Sequence, residues 1–193
     1  MTREEAWKLV TEHVQSPRLR GHLLAVEACM RHFAAHYGED EETWGLIGLL
    51  HDFDYERYPQ TPDHPLQGER ILADLGVPED IRYTICSHVD AVADRYPRRS
   101  LRDRVLYAVD ELSGLVVATA LVRPSKSIHD VDVAAVRKKM KDKRFAAGVN
   151  RDDVVRGAQE LGVELDELIG MVIAALRAAA EPLGLTGTAA SGQ

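Results

Sequence analysis

GLIGLLHDFDYERYP, residues 45–59, begins as an apolar helix end and changes character at His51 and Asp52. Leu46, Leu49 and Leu50 recur at helical spacing, and the pattern that starts near Glu41 stops at the polar, aromatic and proline-rich loop beyond the doublet. Two adjacent polar residues that end a buried apolar run are costly unless something pairs with them. The His51-Asp52 doublet is therefore the first candidate for a functional site.

Working outward, every segment with a clear period reads as helix. Toward the N-terminus, Thr2 and Glu5 have capping-box spacing ahead of AWKLVTEHV, and Ser16-Pro17 opens a second helix that runs to Gly38. Toward the C-terminus, helices are expected from about Pro65 to Leu75, from Pro78 to about His88, and from Ser100 to about Thr119 with Asp103 in its first turn. Three more are expected over about Val131 to Lys141, from an Asn150 cap to Gly162, and from Glu164 to Ala180. No segment alternates long enough for a strand. The expectation is an all-α fold, a compact bundle of about nine helices forming one domain over residues 1–185, with a disordered tail at 186–193.

A chain of 193 residues that is 45% hydrophobic can fill one sizeable core. Its net charge of -7 disfavours nucleic acid or an anionic membrane as the main partner. Residues 123–151 are the exception, with nine Lys or Arg against three Asp or Glu, so a segment of +6 stands on a body of -13. Cys29 and Cys86 are isolated, which fits a reducing compartment rather than a disulfide framework. The charged opening MTREEAWKLV does not read as a leader and no run of eighteen apolar residues occurs, so no membrane association and a cytoplasmic location are expected.

Seven of the eight histidines fall in the first half of the chain, and three sit at helix ends beside carboxylates: His51 with Asp52, His64 after Asp63, and His88 before Asp90. Imidazole with carboxylate suits divalent transition metals, and helix ends let ligands from different helices converge. His13, His32, His36 and His129 are read as surface or satisfied core residues. Asp54 has two open readings, a carboxylate that orients a ligand imidazole or a solvated loop residue; for Asp90 the solvated reading is preferred.

The order of these elements resembles the HD superfamily: a His on an early helix, a His-Asp doublet ending a later one, and an Asp on a further helix. This chain supplies His22 in LRGHLLAVE, His51-Asp52 in GLLHDFDYE and Asp110 in LYAVDELSGL. HPLQGERIL with His64 and CSHVD with His88 resemble the two additional histidine segments of the family's two-metal members. The resemblance implies that His22, His51, Asp52 and Asp110 hold one metal, and that Asp52 bridges to a second held by His64 and His88. It covers about residues 17–122. A group of small HD hydrolases shares HDFDYERYP, DELSGL, ALVRPSKS and KDKRFAAGVNR, which extends the likeness to about residue 180.

Two departures bear on substrate. Many phosphohydrolases of the superfamily follow the doublet with Ile-Gly-Lys, where this chain has Phe53-Asp54-Tyr55, so no catalytic lysine is assigned there. The HD-GYP branch carries paired histidines and Gly-Tyr-Pro, where this chain has His88 and DRYPRRS, so cyclic di-GMP is not the expected substrate.

Arg18 precedes His22 by four residues and shares its helix face, where it is a candidate for binding phosphate. RPSKS, residues 123–127, puts Arg123 and Lys126 with two hydroxyls in a proline-held turn, chemistry suited to phosphate oxygens and to transition-state charge. RKKMKDKR, residues 137–144, reads first as a solvated helix face and second as a surface for an anionic partner. The expected activity is hydrolysis of a nucleotide or other small phosphoester by water activated on one or two divalent ions, Mn, Fe, Co, Ni or Zn ahead of Mg. Asp52, Asp54, Arg18, Arg123 and Lys126 are the candidate catalytic residues. The alternatives are a di-iron oxygenase of the same superfamily and a non-catalytic signalling module with a structural metal.

Overall fold

In the computed structural model, which describes residues 1–187, the helix signals of the sequence are realised almost turn by turn. The described chain is all-α, with nine α-helices, two short 3-10 turns and no strand beyond one isolated bridge between Ser127 and Thr186. Residues 188–193, most of the expected tail, lie outside the described residues. No helix among the described residues is long and apolar enough to cross a membrane. The residues group into two compact units, Met1–Tyr107 and Ala108–Gln193.

In the first unit, α1 (Arg3–His13) starts at Thr2, whose hydroxyl accepts from Glu5 N while the Glu5 carboxylate accepts from Thr2 N. The helix α2 (Pro17–Tyr37) starts at Ser16 and is closed by Gly38 in the left-handed conformation. Asp40 caps α3 (Glu41–Leu50) through Thr43 N, and His51 is the residue at its C-terminal end. Phe33, Leu23 and Met30 of α2, with Ile47, Leu49 and Leu50 of α3, are fully buried. Each such side chain contributes about 1.5–3 kcal/mol when taken out of water. The two helices pack closely because Gly48 has no side chain: a Cβ there would stand 2.8 Å from Val26 O and 2.9 Å from Glu27 Cα. Beside this crossing the buried Glu27 carboxylate receives Arg3 of α1 at 2.6 Å and Arg31 of α2 at 3.1 Å, which satisfies an otherwise costly charge.

The expected helix at Pro65 begins slightly earlier, as α4 (Asp63–Asp74), with His64 off helical geometry at φ -76 and ψ 127. Proline disfavours helical backbone in the residue before it, so Pro65 sets that break. Next come α5 (Glu79–Ser87) and a 3-10 turn at Asp90–Val92. The long α6 (Leu101–Leu121) begins in the first unit and continues into the second.

In the second unit, α7 (Val133–Met140), α8 (Arg151–Leu161) and α9 (Leu165–Ala178) follow, with Asp132 and Asn150 as side-chain caps of the first two. Leu168, Ile169, Val172 and Leu176 of α9 are buried, so that apolar helix supplies core to this unit. The cations of residues 137–144 stand on α7 and the turn after it, where Arg137, Lys138 and Lys141 are exposed and Arg137 pairs with Asp166 at 3.2 Å.

Candidate metal centre

The site is assembled at helix ends. The carbonyls of a helix's last turn lack intrahelical partners, and both His51 and His88 follow a helix end and turn Nδ1 onto such a carbonyl. His51 Nδ1 donates to Gly48 O at 2.9 Å, and His88 Nδ1 donates to Ile85 O. His64 is anchored differently, with Nδ1 2.8 Å from Asp54 Oδ1. Carbonyl oxygens only accept, so the proton of a neutral His51 or His88 lies on Nδ1 and leaves Nε2 with its lone pair.

All of these Nε2 atoms face one carboxylate. His64 Nε2 and His88 Nε2 each lie 3.2 Å from Asp52 Oδ1, while His51 Nε2 lies 3.6 Å and His22 Nε2 4.0 Å from Asp52 Oδ2. His22 Nε2 and His51 Nε2 are 3.2 Å apart. The two oxygens of Asp52 thus divide the four histidines into pairs, His64 with His88 and His51 with His22. The sixth residue of the expected set, Asp110, stands half-buried on α6, past the boundary of the first unit.

These atoms fit a divalent cation. Nitrogen and oxygen ligands bind such ions at about 2.0–2.2 Å, which spaces neighbouring ligands about 3–3.5 Å apart. The ligand atoms of His51, Asp52 and His88 all lie within 4.8 Å of one another. The local field also favours positive charge. Burial pushes the Asp52 carboxyl upward, but the neighbouring imidazoles of His51, His64 and His88 outweigh it and hold the group well below the usual carboxylate range. Burial likewise works against a charged His64, yet its bonds to Asp52 and Asp54 raise it to about 10.

The turn that carries the doublet is tied down from both sides. Glu56 accepts from Gln15 N at 3.0 Å and Ser16 N at 2.9 Å, and Arg57 donates to Glu12 O, so the start of α2 and the turn after α3 are fixed to one another. Asp54 is 1% exposed and receives both His64 Nδ1 and Gly68 N, the latter at 2.9 Å. It is not a solvated loop residue. Gly68 permits this approach, since a Cβ there would stand 2.8 Å from the Asp54 carboxylate.

Of the remaining candidates, Arg18 is exposed on the first turn of α2. Arg123 is half-buried after α6 with its Nε enclosed and lacking a hydrogen-bond partner, and Lys126 is exposed with φ +52. Asp90 is 42% exposed and pairs with Arg98 at 2.9 Å. His13 lies edge-on to Phe53 with Nδ1 3.1 Å from Leu9 O, a satisfied structural residue. Sequence reasoning missed Tyr55, whose exposed ring stands edge-on to His64 at 5.2 Å, and the anchoring roles of Gly48, Ile85 and Gly68. The anchors at Gly48 and Ile85 have a readable signal, a histidine just past a helix end with a carbonyl three residues back.

A family model described as the HD domain matches residues 19–115, half of the chain. This protein belongs to the HD-domain family, whose members bind divalent metals and are typically metal-dependent hydrolases. No curated protein and no solved structure matches the chain.

Proposed function

We propose that this protein is a metal-dependent phosphohydrolase acting on a nucleotide or another small phosphoester, with His22, His51, Asp52, His64, His88 and Asp110 holding two divalent ions. The observation that carries this reading is the convergence of four imidazole Nε2 atoms on Asp52, two facing each oxygen. Asp52 would serve both ions, one held with His22 and His51 and the other with His64 and His88. Ions held there would acidify a water to near neutrality and offset charge on a phosphoryl group.

The protein's own groups do the remaining work. Asp54 orients His64, and the Nδ1 anchors of His51 and His88 keep their Nε2 atoms directed at Asp52. Arg18, one turn before His22, and Arg123 with Lys126 bind phosphate oxygens and stabilise transition-state charge. The enclosed, unpartnered Nε of Arg123 supports that role, because a buried donor without an acceptor calls for a partner.

The test is metal analysis of the purified protein by inductively coupled plasma mass spectrometry, with a phosphatase screen over nucleotides and model esters supplemented with Mn, Fe, Co, Ni or Zn. The expected result is two ions per chain and phosphate release, both lost in a folded His51→Ala variant. Oxygen consumption by the iron-loaded protein without phosphate release from any ester would replace this reading with the oxygenase one. Neither metal nor turnover under any supplementation would leave a binding module.

A further inference from the structure

Arg98, in the loop between the His88 turn and α6, reaches three parts of the first unit. Its Nη1 donates to Ser87 O at 3.1 Å and to Asp90 Oδ1 at 2.9 Å, and its guanidinium carbon lies 3.7 Å from the centroid of the Tyr107 ring. The Arg98 side chain is 10% exposed, so its charge is held largely out of water, where these partners help to satisfy it. Ser87 precedes His88 by one residue and Asp90 follows it by two. The cation therefore fastens the chain on both sides of a proposed metal ligand without touching that ligand.

The need for such a fastening follows from where His88 sits. Its Nδ1 anchor is the Ile85 carbonyl of its own helix, so that anchor is only as fixed as the last turn of α5. Helix ends fray, and their last carbonyls need outside donors. The His51 turn has Glu56 and Arg57 reaching to residues 12–16. For the His88 turn, Arg98 has the corresponding place, and its stacking on the buried Tyr107 ties that turn to α6. A planar guanidinium can stack on a ring while donating at its edge, which a lysine ammonium cannot do.

We infer that Arg98 is a positioning residue that holds His88 Nε2 against Asp52 Oδ1 through Ser87 and Asp90, and so sets the metal affinity of the His64–His88 half of the centre. This rests on the metal-centre reading above and adds to it a residue outside the proposed ligand set.

Two readouts test it on the full chain. In the metal-free protein, NMR of the imidazoles is expected to show one sharp set of His88 ring signals, and Arg98→Gln to show that set averaged or doubled while His51 is unchanged. In titrations with Zn or Mn, Arg98→Gln is expected to weaken one of two sites about tenfold, the scale on which groups supporting metal ligands act, with Arg98→Lys intermediate and the other site unaffected. If Arg98→Gln fails to fold, Asp90→Asn breaks the same bridge at a partly exposed position and is expected to shift both readouts in the same direction. An Arg98→Gln protein with wild-type His88 signals and two wild-type affinities would overturn the inference. A wild-type protein that takes up no ion, in which Arg98→Gln still disturbs His88, would instead remove the metal-centre reading and keep the hold of Arg98 on His88.

Discussion

His64 Nδ1 lies 2.8 Å from Oδ1 of Asp54, and the other oxygen of that buried carboxylate accepts Gly68 N at 2.9 Å. Asp54 thus joins the turn after α3 to residues on both sides of the His64–Pro65 break in α4. Asp54→Ala is expected to lower divalent-metal affinity roughly 10–100-fold. Gly68→Ala should act in the same direction, because its Cβ would meet Asp54 Oδ2 at 2.8 Å. Competition titration with a metal-sensitive dye checks both, and unchanged affinity in a folded Asp54→Ala protein would take Asp54 out of the site.

Gly48 tests the packing of α2 against α3. The groups that a Cβ at 48 would meet, Val26 O at 2.8 Å and Glu27 Cα at 2.9 Å, are backbone and cannot turn aside. Gly48→Ala is expected to cost about 3 kcal/mol, or roughly 6–12 °C in Tm. At Gly114 of α6 the nearest side-chain neighbour of an added Cβ is Val149 Cγ2 at 4.0 Å. There the same change should stabilise by about 0.5–1 kcal/mol through helix propensity. Thermal unfolding of the two variants separates the cases, and a neutral Gly48→Ala would contradict the close crossing.

Asp103 gives a pH signature away from the metal centre. Its carboxylate accepts from Thr84 Oγ1 at 2.7 Å, Ser100 N at 2.9 Å and Arg99 N at 3.1 Å. Burial alone would raise the group, but these hydrogen bonds outweigh it and hold it below the usual carboxylate value. A depressed folded value contributes stability above the unfolded pKa of about 3.9, and that contribution is lost as pH falls through the folded value. Asp103→Asn should therefore cost about 2 kcal/mol at pH 7, with the gap to wild type closing below about pH 4. Denaturant unfolding across pH 3–7 measures it, and a gap independent of pH would reject the assignment.

Metal binding should also appear as stability. An ion that binds only the folded chain at a hundred times its Kd adds about 2.7 kcal/mol, roughly 5–10 °C in Tm for a chain of this size. Chelator treatment should remove that gain, and His51→Ala should abolish it. A wild-type Tm indifferent to Zn, Mn and chelator would count against a folded-state metal site.

The sequence was sufficient where the determining interaction is local. Thr2 with Glu5, Ser16 with Pro17, Asn150, and the stops at Gly38 and Gly162 fixed helix ends because a cap bonds within three or four residues of itself. His51, His64 and His88 stood out as histidines at helix ends beside carboxylates, the resemblance to the HD superfamily added His22 and Asp110, and the structure brings the four histidines together around Asp52. Tertiary structure alone decided which oxygen of Asp52 faces which pair, and that Asp54 serves His64 rather than the nearer-in-sequence His51. It also decided that Arg98 spans the His88 turn and that Glu56 reaches residues 15 and 16. Those partners lie 8 to 41 positions apart in sequence or meet across helix crossings. The geometry of such contacts depends on how α2, α3, α4 and α5 pack, and that packing follows from close approaches such as the one at Gly48, which no local pattern records.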